Sequence, residues 1–480
     1  MEFVKKCRLL GGLSFALLLG VPSQALAQYG LGYVHPLFVL SAREPVLTES
    51  APTSRSLAMG GVHCVSGLAD DALACPASLL LSTGTDIVLS AGPFFYSRNE
   101  PPTTPTFLFG QLGGFLMPVD FSGTGSSVTP VAFGAIAIRR PRWAVAGVFD
   151  ATNRAEHQFD TLPSVVGRNE SGHSAFLQVT ASGTASVSQA TTKVGGAFSL
   201  APIRERLFVG GAVYAVHFRY DVNAAVSETW VGDLFPLGPV KAVETESITF
   251  DEWQPGWALA ASVRVVPHFA IVARWQVEPQ FDATRTAARR PLAAGTQLGA
   301  TSSAAAQLQL PEVRAVGVIV TAKNTVFATE LSRISFGNAF QSTSADCGSL
   351  IGIGCPGWGW SETLSGNTGL QPFEDNKLVG TSDAFVLRGG IEQTIPIRAG
   401  YLRLRGGAHV EQGHALLEVL PSYVTSTPNG NPGDGFPTRE DVNVWSAGIA
   451  YAWKDMELGV GFATGNNQTR ITSDFRLRLP

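Results

Sequence analysis

From residue 399 to residue 411 the chain reads AGYLRLRGGAHVE, and its two sets of alternate residues differ in character. Gly400, Leu402, Leu404, Gly406, Ala408 and Val410 make one set, and Tyr401, Arg403, Arg405, His409 and Glu411 make the other. Successive side chains of a strand point to opposite faces, so this is a β-strand with every charge on one side. The last residues repeat the pattern, Ile471, Phe475, Leu477 and Leu479 opposing Arg470, Asp474, Arg476 and Arg478. Near 257–265 and 269–277, Arg264, Arg274 and Gln276 fall on the face away from the aromatic residues. In 208–220 the even residues are apolar, through Phe208, Tyr214, Phe218 and Tyr220, while His217 and Arg219 stand opposite. The expected arrangement is one face on hydrocarbon, including Phe218 and Leu404, and the other on an enclosed aqueous interior.

Alternation alone also fits a soluble sandwich, whose apolar face meets a second sheet. Strand length and loop order separate the two. The runs last about ten to fourteen residues, against about five or six in soluble sheets and near the span of a tilted membrane strand. Trp445 and Trp453 bracket one run, and eight residues tilted about 40° separate their rings by roughly 20 Å along a membrane normal. Short turns at Arg140-Pro141, 202–205, 266–268, 322–324, 396–398 and Lys454-Asp455 alternate with long segments at 98–127, 155–184, 223–247, 282–308, 337–382 and 413–440. These features predict an all-β fold, an antiparallel transmembrane barrel of about fourteen strands with long loops at one end. The strands are expected near 86–97, 128–140, 142–154, 185–201, 206–222, 249–266, 268–281, 309–322, 325–336, 383–396, 399–412, 442–454, 456–465 and 468–479.

Composition agrees with export into a membrane. Lys5, Lys6 and Arg8 precede an apolar run from Leu9 to Val21, and Ala25-Leu26-Ala27 follows as a cleavage site, so 1–27 reads as a signal peptide. Hydrophobic residues are 45% of the chain and charged residues 15%; beyond Val21 no apolar run approaches the roughly 20 residues of a membrane helix. The formal charge of −4 becomes −6 when three basic residues and one acidic residue leave with the signal, which argues against a nucleic-acid partner.

Between the signal and the first strand, residues 28–85 lack sustained alternation and read as a plug in the lumen, with 86–480 as the barrel. Gly60 and Gly61 permit tight backbone, and 69–74 can form a helical turn capped by Asp70 or Asp71 and ended by Pro76. Cys64 and Cys75, and Cys347 and Cys355, are spaced for two local disulfides in an oxidising compartment. A metal site from His63, Cys64 and Cys75 matches no zinc spacing.

The text Arg55-Ser56-Leu57-Ala58-Met59-Gly60-Gly61, then Leu68-Ala69-Asp70-Asp71-Ala72, then Pro76-Ala77-Ser78-Leu79 resembles the N-terminal hatch signature of the FadL family of outer-membrane transporters of hydrophobic compounds. Cys75 and Ser78 stand where that signature has Asn and Gly. The resemblance implies passive uptake of long-chain fatty acids or aromatic hydrocarbons across the outer membrane of a Gram-negative bacterium, from an apolar pocket above the hatch to a lateral gap in the barrel wall. Arg55, Leu57, Met59, Gly60, Gly61, Asp70, Asp71, Pro76 and Ala77 would then be hatch residues. Hydrophobic cargo, outer-membrane lipid, lipopolysaccharide and the barrel-assembly machinery would be its partners. Related text also occurs in secretion-associated barrels, which keeps a structural or secretion role open.

Arg388, Glu392, Arg403, Arg405, His409, Glu411, Arg470, Asp474, Arg476 and Arg478 would line the lumen, as a selectivity wall or in mutual pairs. No cofactor or metal is expected. Gly352 to Gly357 matches G-x-G-x-x-G but contains Pro356 and opens no helix. The eight histidines are scattered and no G-x-S-x-G or H-E-x-x-H occurs, so an enzyme is not expected.

Overall fold

The computed structural model describes residues 51–64, 67–103, 106–109, 115–118, 121–169, 177–232, 240–291, 300–335, 340–342, 379–380, 383–412, 418–419, 441–465 and 468–479. Fourteen strands form the wall: β1 Gly84–Thr103, β2 Phe121–Arg140, β3 Trp143–Asn169, β4 Leu177–Ile203, β5 Leu207–Gly232, β6 Val240–Val266, β7 Phe269–Val277, β8 Glu312–Ala322, β9 Thr325–Ser335, β10 Ala384–Ile397, β11 Gly400–Glu411, β12 Val442–Trp453, β13 Met456–Gly465 and β14 Gln468–Leu479. Each pairs antiparallel with its neighbours in sequence, and β14 returns to β1 from Thr85↔Leu479 to Tyr96↔Gln468, closing the barrel. Closure leaves no free edge to aggregate.

All fourteen expected strands and the six short turns are found. The long segments differ from expectation. Those at 98–127, 155–184, 223–247 and 282–308 are largely strand: β1 and β2 extend to Thr103 and from Phe121 with a short hairpin of 106–109 and 115–118 between them, β3 to β6 run 26 or 27 residues, and Gln280–Pro291 pairs with Ala300–Gln309 as a further hairpin. Their Thr and Val residues suit strands, but they keep no apolar face, so nothing in their pattern separates strand from polar loop. Most of 337–382 and 413–440, with Cys347, Cys355 and 352–357, lies outside the described residues, as do 1–50.

Where charges mark one face, the faces are as expected: Leu404, Ile449, Phe462, Ile471 and Phe475 are exposed on the outside, whereas Arg405, Asp474 and Arg476 are buried within. Together with Leu89, Ile136, Phe198, Ile271, Phe327 and Leu387 they form an apolar belt around the barrel, with Trp445 and Trp453 exposed near its two margins. A soluble monomer rarely shows so extensive a patch. Leu404→Arg is expected to cost about 2 to 4 kcal/mol of folding stability if Leu404 faces hydrocarbon. Urea titration in lipid vesicles measures it, and an unchanged midpoint would put Leu404 in water.

The expectation for 208–220 is reversed. Phe208, Tyr214, Val216, Phe218 and Tyr220 are buried inside the barrel, with Phe218 at 0% exposure, whereas Val213 is exposed on the outer face and His217 and Arg219 share its parity. Here the interior is packed rather than aqueous, and the outer face turns polar toward the long-loop end, so apolar no longer means outward.

Candidate functional site

The segment before β1 lies inside the barrel. Its helix, α1 Ser54–Ala58, is opened by Thr53, whose side chain accepts from the Ser56 N–H. Gly60 and Gly61 both have positive φ, +74° and +75°, and fold the chain tightly against the wall. A Cβ added to Gly407 would stand 2.4 Å from the Gly60 nitrogen, and one on Gly390 would stand 2.4 Å from the Met59 oxygen. Backbone approaches this close are possible only between such residues. Leu57 packs on Val442, Val444 and Ala463, Met59 and Val62 on Ala328, and Ala77 in a cluster with Phe208, Ala260, Val272 and Ile319. The segment therefore spans the lumen from β12 and β13 to β5–β8. Cys64 and Cys75 form a disulfide, Cα–Cα 5.3 Å, which ties its middle into a loop and removes both sulfurs as metal ligands.

Asp70 and Asp71 do not cap a helix. The short 3₁₀ turn Ala69–Asp71 begins after Leu68 and has no side-chain cap, and Pro76 opens a second turn, Pro76–Leu81, rather than ending the first. A longer-range attraction claims Asp70 instead: it accepts from the Thr53 hydroxyl at 2.8 Å and from Arg476 of β14 at 3.1 Å. Burial alone would raise this carboxyl, but Arg476, Arg55 and the Thr53 hydroxyl outweigh it and hold Asp70 below its ordinary range. Asp71 lies 3.8 Å from His63.

The lumen charges are paired with one another and with the inner segment. Glu392 accepts from Arg55 at 2.9 Å and from Arg405 at 2.7 Å, and Glu457 binds Arg405 at 2.6 Å, Arg403 at 2.7 Å and Arg478 at 3.4 Å. Asp474 accepts from the backbone and hydroxyl of Ser54 at 2.9 and 2.8 Å. Arg388 meets Glu330 at 3.3 Å beside Arg274, and Arg476 and Arg139 flank Asp86 at 3.7 and 3.4 Å. His409 and Glu411 share the partly buried inner face of β11, and Arg470 is attracted to Asp150. Arg274, already placed on the face away from the aromatic residues, is among these charges, whereas Asp86, Arg139, Glu330 and Glu457 were not singled out from sequence; the signal was there, since each shares the parity of its strand's inward face.

Toward the long-loop end, a small cleft of about 30 Å³ lies between the inner segment and the wall, bordered by His63, Asp70, Leu73, Phe133, Val148 and Lys193. Beyond it the inner faces of β5, β6 and the 280–291 strand bring Phe218 within 5.1 Å of Phe281 and 6.2 Å of Phe250, with Tyr220 beside them. The wall is interrupted at two places near this level. Pairing of β2 with β3 stops at Ala132↔Ala151; Pro130 follows with no N–H to donate, and Asp150 takes the Thr152 N–H at 3.0 Å. A register shift between Asp150 and Asn153 marks the bulge. The second interruption leaves 250–256 of β6 paired with β5 but without ladder partners on the opposite edge, because the neighbour there breaks at Glu278-Pro279.

No protein-family model and no curated protein matches the chain in sequence. Solved structures do match in shape. The CymD monoaromatic hydrocarbon channel superposes with a TM-score of 0.53 at 12% identity, over 91% of this chain and 99% of that one. The Pseudomonas putida toluene transporter TodX gives 0.52 at 12%, over 90% and 99%. A Pseudomonas aeruginosa FadL homologue gives 0.52 at 11%, over 89% and 97%. The fold is that of the FadL-type barrels. At these identities the likeness is one of architecture, and it meets the resemblance carried by residues 54–79 at that level.

Proposed function

We propose that the protein is an outer-membrane channel for passive uptake of hydrophobic molecules, with residues 51–83 as a hatch. The observation that carries this is the cluster of Phe218, Tyr220, Phe250 and Phe281, buried inside the barrel at the level where the β2–β3 ladder breaks. A water-filled porin lines its lumen with polar groups; an apolar lumen next to a wall break suits cargo that leaves sideways into lipid. Each methylene kept from water contributes about 0.8 kcal/mol, so release through the break spares apolar cargo the aqueous space below. The channels CymD and TodX, similar in fold, are described as carrying a monoaromatic hydrocarbon and toluene, which supports the same cargo class here. Lipopolysaccharide would surround the outer end, and the barrel-assembly machinery would insert the chain.

Deleting the gene is expected to slow entry of toluene and oleate into cells several-fold while leaving sugar entry unchanged. Radiolabelled uptake measures both. Equal uptake with and without the protein, together with a stoichiometric partner after gentle purification, would favour a structural or secretion-associated barrel.

A further inference from the structure

On the inner face of β4, Gln189, Thr191 and Lys193 follow one another at every second position, and all three are buried. Lys193 is satisfied: its ammonium lies 2.5 Å from Glu278, which also accepts from Gln276 and from the Tyr214 hydroxyl at 3.2 Å. The other two are not. The Gln189 amide nitrogen and the Thr191 hydroxyl have no hydrogen-bond partner among the described residues, though Gln189 is 2% exposed and Thr191 4%. A buried donor left unmade is costly, so each such group calls for a partner from outside the chain. Both stand at one edge of the aromatic cluster, since Thr191 is paired with Phe218 and Gln189 with Tyr220 across the β4–β5 ladder. On the other side Thr191 is paired with Asn153, immediately beyond the β3 bulge.

Building on the proposed uptake of hydrophobic cargo, we infer that Gln189 and Thr191 form the polar end of a cargo site for molecules with one uncharged oxygen head, a carbonyl or a hydroxyl, whose apolar body rests on Phe218, Tyr220 and Phe250. A bare hydrocarbon leaves both donors unmade. A carboxylate meets a lysine already neutralised by Glu278, with Asp150 paired opposite Lys193 on β3. Burying an unpaired anion there costs more than burying a neutral head. The site thus selects by hydrogen bonding rather than by charge.

Binding of 1-dodecanol, dodecane and dodecanoate, equal in chain length, to the purified full-length barrel in detergent tests this, with radiolabelled ligand in a scintillation proximity assay. Wild type is expected to bind dodecanol most tightly. Each lost hydrogen bond is worth roughly two- to tenfold, so Gln189→Leu with Thr191→Val is expected to weaken dodecanol by about tenfold or more while leaving dodecane unchanged or slightly tighter. Thr191→Ser, which keeps the hydroxyl, should retain dodecanol affinity, and heat-modifiable mobility on gels checks that each variant is folded. Equal affinity for dodecanol and dodecane in wild type, or a double variant that loses neither, overturns the inference and leaves hydrophobic transport standing; so does a preference for dodecanoate. Failure of all three ligands to bind would count against the transport proposal itself.

Discussion

Glu392→Ala will lower the barrel's resistance to unfolding by about 3 to 5 kcal/mol, because it strips one buried guanidinium of its counter-ion and takes one of two from another. Arg55 of the inner segment lies 2.9 Å away and Arg405 of the wall 2.7 Å away. Arg405 keeps Glu457, whereas Arg55 has no other ion-pair partner within 4 Å among the described residues. The loss therefore falls mainly on the seating of the inner segment. Adding Arg55→Leu to Glu392→Ala removes the stranded charge and should recover part of the stability, a sign expected only if the two groups act as a pair. Equilibrium denaturation in detergent micelles or vesicles gives both numbers. A single variant as stable as wild type would mean that the hatch is held by its apolar contacts alone.

Gly390→Ala combined with Gly407→Ala is expected to unseat the Met59-Gly60 turn. Each new Cβ would fall 2.4 Å from a hatch backbone atom, and neither clash can be relieved by rotating a side chain. Overpacking of this kind costs about 1 to 3 kcal/mol per site, and the strain is removed if the hatch moves away while the wall stays intact. Planar-bilayer recordings should then show discrete ion-conducting steps absent from wild type, since the interior behind the hatch carries many charges. Silent recordings from a folded double variant would show that something other than the 51–83 segment seals the channel.

Legibility of the molecule in its sequence varied with what each residue faces. The two faces of β11 and β14 could be read from their charges, because Leu404 and Ile471 face outward while Arg405 meets Glu392 and Glu457, and Asp474 meets Ser54, within. β5 misled, for the aromatic interior beside Phe218 makes the apolar face the inner one, and His217 and Arg219 lie on the outer face where it has turned polar. One-sided charge locates the lumen only across the apolar belt. Asp70 was legible as a polar hatch residue but not as a partner of Arg476, 406 positions away in the chain, because local propensity names a cap while only the closed barrel supplies a guanidinium. The break between β2 and β3 had a trace in Pro130. Its other half, the Asp150 side chain diverting the Thr152 N–H, is a competition between two hydrogen bonds that composition does not rank. Gln189 and Thr191 look like ordinary strand residues until their neighbours are known.

The junction of β14 with β1 bears on how the molecule is made. Asp86 on the first strand receives the Ala69 N–H at 3.1 Å, and Asp474 and Arg476 on the last strand hold Ser54 and Asp70. The final seam of the cylinder is thus lined with groups whose partners belong to the segment it encloses. Zipping that seam around an empty interior would strand several charges, whereas zipping it over the folded segment satisfies them as it closes. A closing seam would thus gain its partners only with the segment in place, and a chain cut ahead of residue 84 is expected to shut its cylinder less readily.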